Sequence, residues 1–234
     1  MKKKILVIAL ALSLVAVTAL GVTLAYFTDT EEAVNTFTVG NVNIELREPL
    51  WNGNTFTGDP GYTGDKNSLG MHKAIAIAPG DVIPKDPQVR NVGTNDAYIR
   101  IKMIVSEEFL AAEDRDKKDL FDLDWNRVFY PTAADNGKWH QVGFGPMGDK
   151  YVIEFQYLGT LAPGHTTMPL FTNITLKTDK DNADWEALRA QGLMDITIVA
   201  EAIQADNFGT AADAFAALNA QGALPYPAPV VPPV

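Results

Sequence analysis

Residues able to do covalent or metal chemistry are few and scattered in this chain. It has three histidines, His72, His140 and His165, and no cysteine. A zinc-peptidase helix needs two histidines four apart on one face with a glutamate poised over the bound water, and no His-Glu-x-x-His stretch occurs. No serine stands in a Gly-x-Ser-x-Gly turn, and thiol nucleophiles are excluded outright. The twenty-nine acidic residues single out no pair for glycoside hydrolysis. The cluster Asp179 to Glu186 superficially resembles a calcium loop, but it lacks the central glycine and puts Ala183 at a ligand position. Capping of a following helix explains it better. The glycine-rich run Gly53 to Gly70 is no phosphate cradle, because no Gly-Lys-Ser/Thr sequence closes it. The expectation is a protein without a catalytic centre, resident metal or cofactor.

One peptide bond is the exception. Lys2, Lys3 and Lys4 precede an unbroken apolar run from Ile5 to Gly21, followed by Thr23, Leu24 and Ala25. The cationic start, the apolar stretch and the small residues at Thr23 and Ala25 are the pattern of an export signal cut after Ala25, which makes Tyr26 the new N-terminus. Ile5 to Ala25 is also just long enough to cross a hydrocarbon core of about 30 Å, so a retained anchor is the competing reading.

The formal net charge is −10, and taking away the three signal lysines leaves −13 on the mature part. Such a charge favours solubility and disfavours nucleic acid or anionic membrane surfaces as partners. Without cysteine there is no disulfide framework, so stability outside a cell must come from packing, metal or assembly.

The dominant rhythm of the mature chain is the period of two that marks strands. Residues 97–105 put Ile99, Ile101, Met103 and Val105 on one side and Tyr98, Arg100, Lys102 and Ile104 on the other, which predicts a half-buried strand. Residues 150–158 alternate likewise, with Tyr151, Ile153, Phe155 and Tyr157 on one side. Further strands are predicted at 37–46, 73–78, 88–92, 168–176 and 194–203. Helices are predicted at 107–120, 183–190 and 211–220. The expected fold is all-β, an antiparallel sandwich of jelly-roll type with short helices in its connections. Gly53 to Gly70 reads as a long surface loop, and Pro225 to Val234 as an extended polyproline tail.

The stretch from Leu24 to Leu46 resembles the start of the TasA and camelysin family of secreted bacterial matrix proteins. The matching elements are the Thr-x-Ala end at Thr23 to Ala25, the aromatic start at Tyr26 and Phe27, the polar stretch Thr28 to Asn35, the Phe-Thr-x-Gly step Phe37 to Gly40 and a strand from Val42 to Leu46. Ala78 to Asp81 with Val89 to Ile101, and Ile198 to Phe208, are similar to later parts of the family pattern.

The resemblance implies a secreted structural subunit of an extracellular fibre, in a biofilm matrix or at the cell surface. Its partners would be copies of itself, with an accessory matrix or anchoring protein possible in principle and no membrane attachment after signal removal. It also implies strand donation, in which an N-terminal segment fills a groove in the next subunit and Phe27, Val34, Phe37 and Val39 are the candidate pocket residues. The division that follows is signal peptide 1–25, donor segment 26–39, jelly-roll domain 40–224 and proline-rich tail 225–234. Two alternatives stand beside it. One is a monomeric surface adhesin using the glycine-rich loop and Trp51, Tyr62, Trp125 and Trp139. The other is a camelysin-like metallopeptidase, for which the dispersed histidines offer no motif.

Overall fold

The structure is a computed structural model and describes residues 32–33, 42–75, 77–106, 121–178, 183, 185, 187, 190 and 194–220. The chain is mostly β. The strands are β1 (Glu32–Ala33), β2 (Ile44–Arg47), β3 (Val82–Pro84), β4 (Gln88–Asn91), β5 (Ala97–Ser106), β6 (Phe121–Trp125), β7 (Arg127–Val128), β8 (Trp139–Met147), β9 (Lys150–Tyr157), β10 (Phe171–Leu176) and β11 (Thr197–Gln204). Short helices α1 (Pro49–Asn52) and α2 (Gly70–Lys73) follow β2, and α3 (Ala211–Ala220) follows β11.

The strands form a six-stranded sheet in the order β1-β11-β5-β9-β8-β7, a three-stranded sheet β3-β10-β6 and a two-stranded ribbon β2-β4. β5 is the centre of the large sheet. Its β-branched residues Ile99, Ile101, Ile104 and Val105 suit an extended backbone, and it pairs antiparallel with β11 on one side and β9 on the other. β8 and β9 form a hairpin through Gly148 and Asp149, where Gly148 takes the positive φ (+65°) that a two-residue turn demands. One core joins all three sheets: Ile99, Ile101 and Phe155 of the large sheet meet Ile44 and Leu46 of the ribbon and Ile83 and Ile174 of the third sheet. Burial of this shared apolar face is what holds the layers together.

Several expectations change. The predicted strand at 73–78 is not one: Lys73 ends α2 and a turn follows at Ala74 and Ile75. A short apolar alternation does not by itself distinguish strand from helix end. Here α2 is pressed against β3 so closely that a Cβ on Gly70 would lie 1.9 Å from the Pro84 carbonyl oxygen. The glycine-rich stretch is not a plain surface loop either. It buries Phe56 and Leu69, and it is pinned by Thr57, which donates to Glu45, and by Arg90, which grips Asp59 with two hydrogen bonds of 2.8 and 2.7 Å.

β5 is buried on both faces rather than half-buried, since Arg100, Lys102 and Ile104 are covered as well as Ile99 and Ile101. β3, β6, β7 and β8 lie outside the predicted strands. The helix 211–220 is found at its expected bounds, and residues 183, 185, 187 and 190 are helical. The predicted helix 107–120 and the proline-rich tail lie outside the described residues.

Candidate functional site

Ala25, Tyr26, Phe27, Val34, Phe37 and Val39 lie outside the described residues. Glu32 and Ala33, within the same segment, are described. They form β1, which runs parallel to β11 with Glu32 opposite Val199 and Ala33 opposite Ala200. β2 lies alongside both β1 and β11, so β1 sits where the large sheet approaches the ribbon. The pairing is parallel, and among the described residues it extends over two rungs only.

β11 is therefore the long strand at this margin of the large sheet. Its eight residues pair with β5 in unbroken register, from Thr197 opposite Ile104 to Gln204 opposite Ala97. It contains no glycine, no proline and no bulge. A charged side chain is one way to spoil an edge, and β11 carries Glu201, but that charge is neutralised from the neighbouring strand. Arg100 Nη2 lies 2.5 Å and Lys102 Nζ 2.9 Å from the Glu201 carboxylate. Glu154 of β9 completes the group, 3.5 Å from Arg100 and 3.9 Å from Lys102.

These four ions lie on the face of the sheet that the alternation of β5 marked as polar, and all are buried. Burial, with Arg100 as a second cause, lowers the Lys102 pKa, and burial raises that of Glu154. Arg100 is further held by α3: Phe215 packs 4.5 Å from its guanidinium and Asn219 accepts a hydrogen bond from it at 2.9 Å. Sequence alternation located this row but not its burial, because α3 covers part of the face from more than a hundred residues away.

The opposite margin is built differently. β7 runs parallel to β8 only at Trp139 and His140. Beyond them β8 has no strand on that side among the described residues. The strand there is irregular, with a register shift between Gln141 and Gly143, glycines at 143 and 145 and Pro146, which has no amide to donate. Bulges, glycine and proline are the usual means of discouraging an exposed edge from pairing with another chain.

No family model, curated protein or solved structure matches the chain.

The three histidines occupy three separate elements. His72 is exposed on α2, His165 lies exposed in the turn before β10, and His140 is partly buried on β8, where burial lowers its pKa. Among the described residues no group of three or more metal-binding side chains is assembled. No described helix is long and apolar enough to cross a membrane.

Trp51 and Trp139, candidates for an adhesive surface, are core residues instead. The Trp139 indole donates to the Met168 carbonyl at 3.0 Å, and Lys85 lies 4.8 Å above the Trp51 ring. Trp125 packs on Phe155 and Phe171, and Tyr62 is half-buried. Among the described residues the exposed aromatics are Phe129 and Tyr130, 48% and 80% accessible.

A second buried ion pair closes the end of β2. Lys85 Nζ lies 2.8 Å from Glu48 Oε2. Asp86 beside it accepts hydrogen bonds from the Leu50 amide at 2.7 Å and from Gln88 at 3.0 Å. Burial outweighs these bonds and pushes the Asp86 pKa up to about 6.

Proposed function

We propose that the chain is a secreted, non-catalytic structural subunit, related to the TasA and camelysin proteins, that polymerises into extracellular fibres by strand donation through its mature N-terminus. Its three sheets are taken as the two layers of a jelly roll, with the ribbon and the three-stranded sheet together facing the large one. The observation that carries the reading is the margin at β11: a long, regular strand with no blunting device, capped among the described residues by two residues of the N-terminal segment.

An added strand gains a row of main-chain hydrogen bonds along such an edge, and alternate side chains set its specificity. The reading is supported by β1, a piece of the N-terminal segment that pairs there within one molecule. The same segment of a neighbouring copy, offered to this edge, would compete for the place. Cleavage after Ala25 fits the same logic, since a donor still joined to a membrane-held signal cannot reach an adjoining copy.

N-terminal sequencing of the exported material, with negative-stain imaging of the concentrated protein, tests the proposal. The expected result is a chain beginning at Tyr26 that forms fibres. Mature protein shortened to begin at Phe37 is expected to keep its β-sheet spectrum and remain unpolymerised. Fibres from that shortened chain at the rate of the full mature protein would refute donation. Uniform monomers of the full mature protein would favour a surface binding module, for which Phe129 and Tyr130 are the exposed aromatics.

A further inference from the structure

We propose that the buried pair Lys85 and Glu48 condenses into an amide, Lys85 Nζ to Glu48 Cδ, a self-made cross-link between the end of the β2–β4 ribbon and the three-stranded sheet. Such a link neither needs strand donation nor follows from it.

Both residues are held in place by their own backbones. Glu48 directly follows β2, and its carbonyl accepts the Trp51 and Asn52 amides of α1 at 3.0 and 3.1 Å. Lys85 directly follows β3, and its amide donates to the Thr172 carbonyl at 3.2 Å. The two side chains meet with Nζ 2.8 Å from Oε2, and they are 2% and 0% exposed. The Trp51 ring lies 4.8 Å from the Lys85 nitrogen. Glu48 Oε1 is buried and has no hydrogen-bond partner among the described residues. Asp86, next along the chain, is not the acid involved, because its two oxygens are taken by the Leu50 amide and by Gln88.

A buried ion pair is a poor stabiliser, since desolvating two charges offsets most of their attraction, and an orphaned buried oxygen adds to the cost. Condensation removes both charges and one of the two oxygens. Nζ passes one proton to the Glu48 carboxylate, and the neutral amine attacks Cδ of the resulting acid. A second proton moves from nitrogen to the departing hydroxyl, the C–O bond breaks and one water leaves. Ammonium and carboxylate thus become a neutral amide and water, without oxidant, reductant or cofactor. Fixed placement makes the step intramolecular, and exclusion of solvent slows the reverse hydrolysis.

The other buried lysine and glutamate in contact are unsuited to this step. Lys102 Nζ lies 2.9 Å from Glu201, but both Glu201 oxygens are held, Oε1 by Lys102 and Oε2 by Arg100. Neither is open to take the proton with which it would leave. At Lys85 and Glu48 an amide would join positions thirty-seven apart in a chain that has no cysteine. It would restrict the unfolded chain as a disulfide does.

Peptide mapping by mass spectrometry of the purified, folded chain after incubation at neutral pH is the test. Trypsin cuts after Arg47, so the peptide beginning at Glu48 is expected joined to the peptide that spans Lys85 uncut, the pair weighing one water less than the two alone. Fragmentation is expected to place the bond at these two residues in most molecules, and Lys85→Arg to return both peptides unlinked. Wild-type peptides that remain separate overturn the proposal, as does a lost water that maps to another pair such as Lys102 and Glu201. The wild-type map decides even if Lys85→Arg does not fold, and neither result bears on fibre formation.

Discussion

The two margins of the large sheet pose the same problem and solve it in opposite ways. Each ends in a two-residue parallel strand, β1 beside β11 and β7 beside β8. At β8 the backbone is bent by a register shift, loosened by Gly143 and Gly145 and stripped of a donor at Pro146. At β11 the backbone is regular throughout, and its one charge is absorbed by Arg100 and Lys102. A protein that only needed to stay monomeric would gain from blunting both. The asymmetry lies in the backbone: the described part of the β8 margin carries a bulge, glycines and a proline, the devices that discourage pairing with another chain, and β11 carries none of the three.

Reversing the asymmetry is expected to have the largest effect. The triple variant Gly143→Val, Gly145→Val and Pro146→Val regularises β8 and should turn its margin into a second adhesive edge. Soluble mature protein is then expected to form irregular aggregates instead of uniform fibres, and to do so even when shortened to begin at Phe37. Light scattering on the shortened triple variant checks this. If it stays monodisperse at concentrations where wild-type mature protein polymerises, the protective role of the irregular strand is wrong.

Next in size is the loss of the charge compensation that lets β11 carry Glu201. Glu201→Ala leaves Arg100 and Lys102 buried with Glu154 as the remaining acid of the quartet. Breaking a buried ion group by removing one partner costs about 3–5 kcal/mol, because the opposite charges stay desolvated. Chemical denaturation should show an unfolding free energy lower by this amount. The double variant Arg100→Met with Glu201→Met, which removes charge from both sides, is expected to lose much less. Equal losses in the two variants would mean that packing under α3, not charge, dominates the margin.

The smallest effect concerns the end of β2, the strand alongside the β11 margin. The Asp86 pKa is raised to about 6, so the folded chain holds this proton more tightly than the unfolded chain does. Its contribution to stability is fully present below the ordinary aspartate range near pH 4 and is lost as the pH rises through about 6. Asp86→Asn keeps an acceptor for the Leu50 amide and removes the titration. Relative to wild type, the variant should gain about 1–3 kcal/mol between pH 4 and pH 7. A difference between the two proteins that does not change with pH would show that Asp86 is not titrating in this window.

Strands with strong alternation were legible without coordinates. β4, β5, β9, β10 and β11 fall close to where the period of two places them, β2 overlaps the end of the strand predicted at 37–46, and α3 falls on its alanine-rich run. β3, β6, β7 and β8 were not legible, for identifiable reasons. β8 is interrupted by glycines and a proline, so its pattern is diluted at the very positions that blunt it. β3 and β7 are three and two residues long, too short for periodicity to rise above chance. Lys73 to Ala78 alternates like a strand, but its start is drawn into α2 against Trp51 and Pro84. Of the candidate site, the N-terminal segment was singled out by its residues, whereas its counterpart β11 was read as one strand among seven. Nothing in a linear pattern says which strand will stand at a margin.

Local composition by itself determined the β character of the chain, the cationic and apolar run of its first twenty-five residues, the net acidity and the absence of thiol chemistry, because each depends on residue type and on neighbours within a few positions. Tertiary structure alone decided that the alternating polar face of β5 is buried and paired, that the tryptophans serve the core, and that β11 lies next to the margin of the large sheet. Those properties depend on contacts between residues about a hundred positions apart, as Arg100 and Glu201 are. Only the packed layers bring such residues within reach of each other.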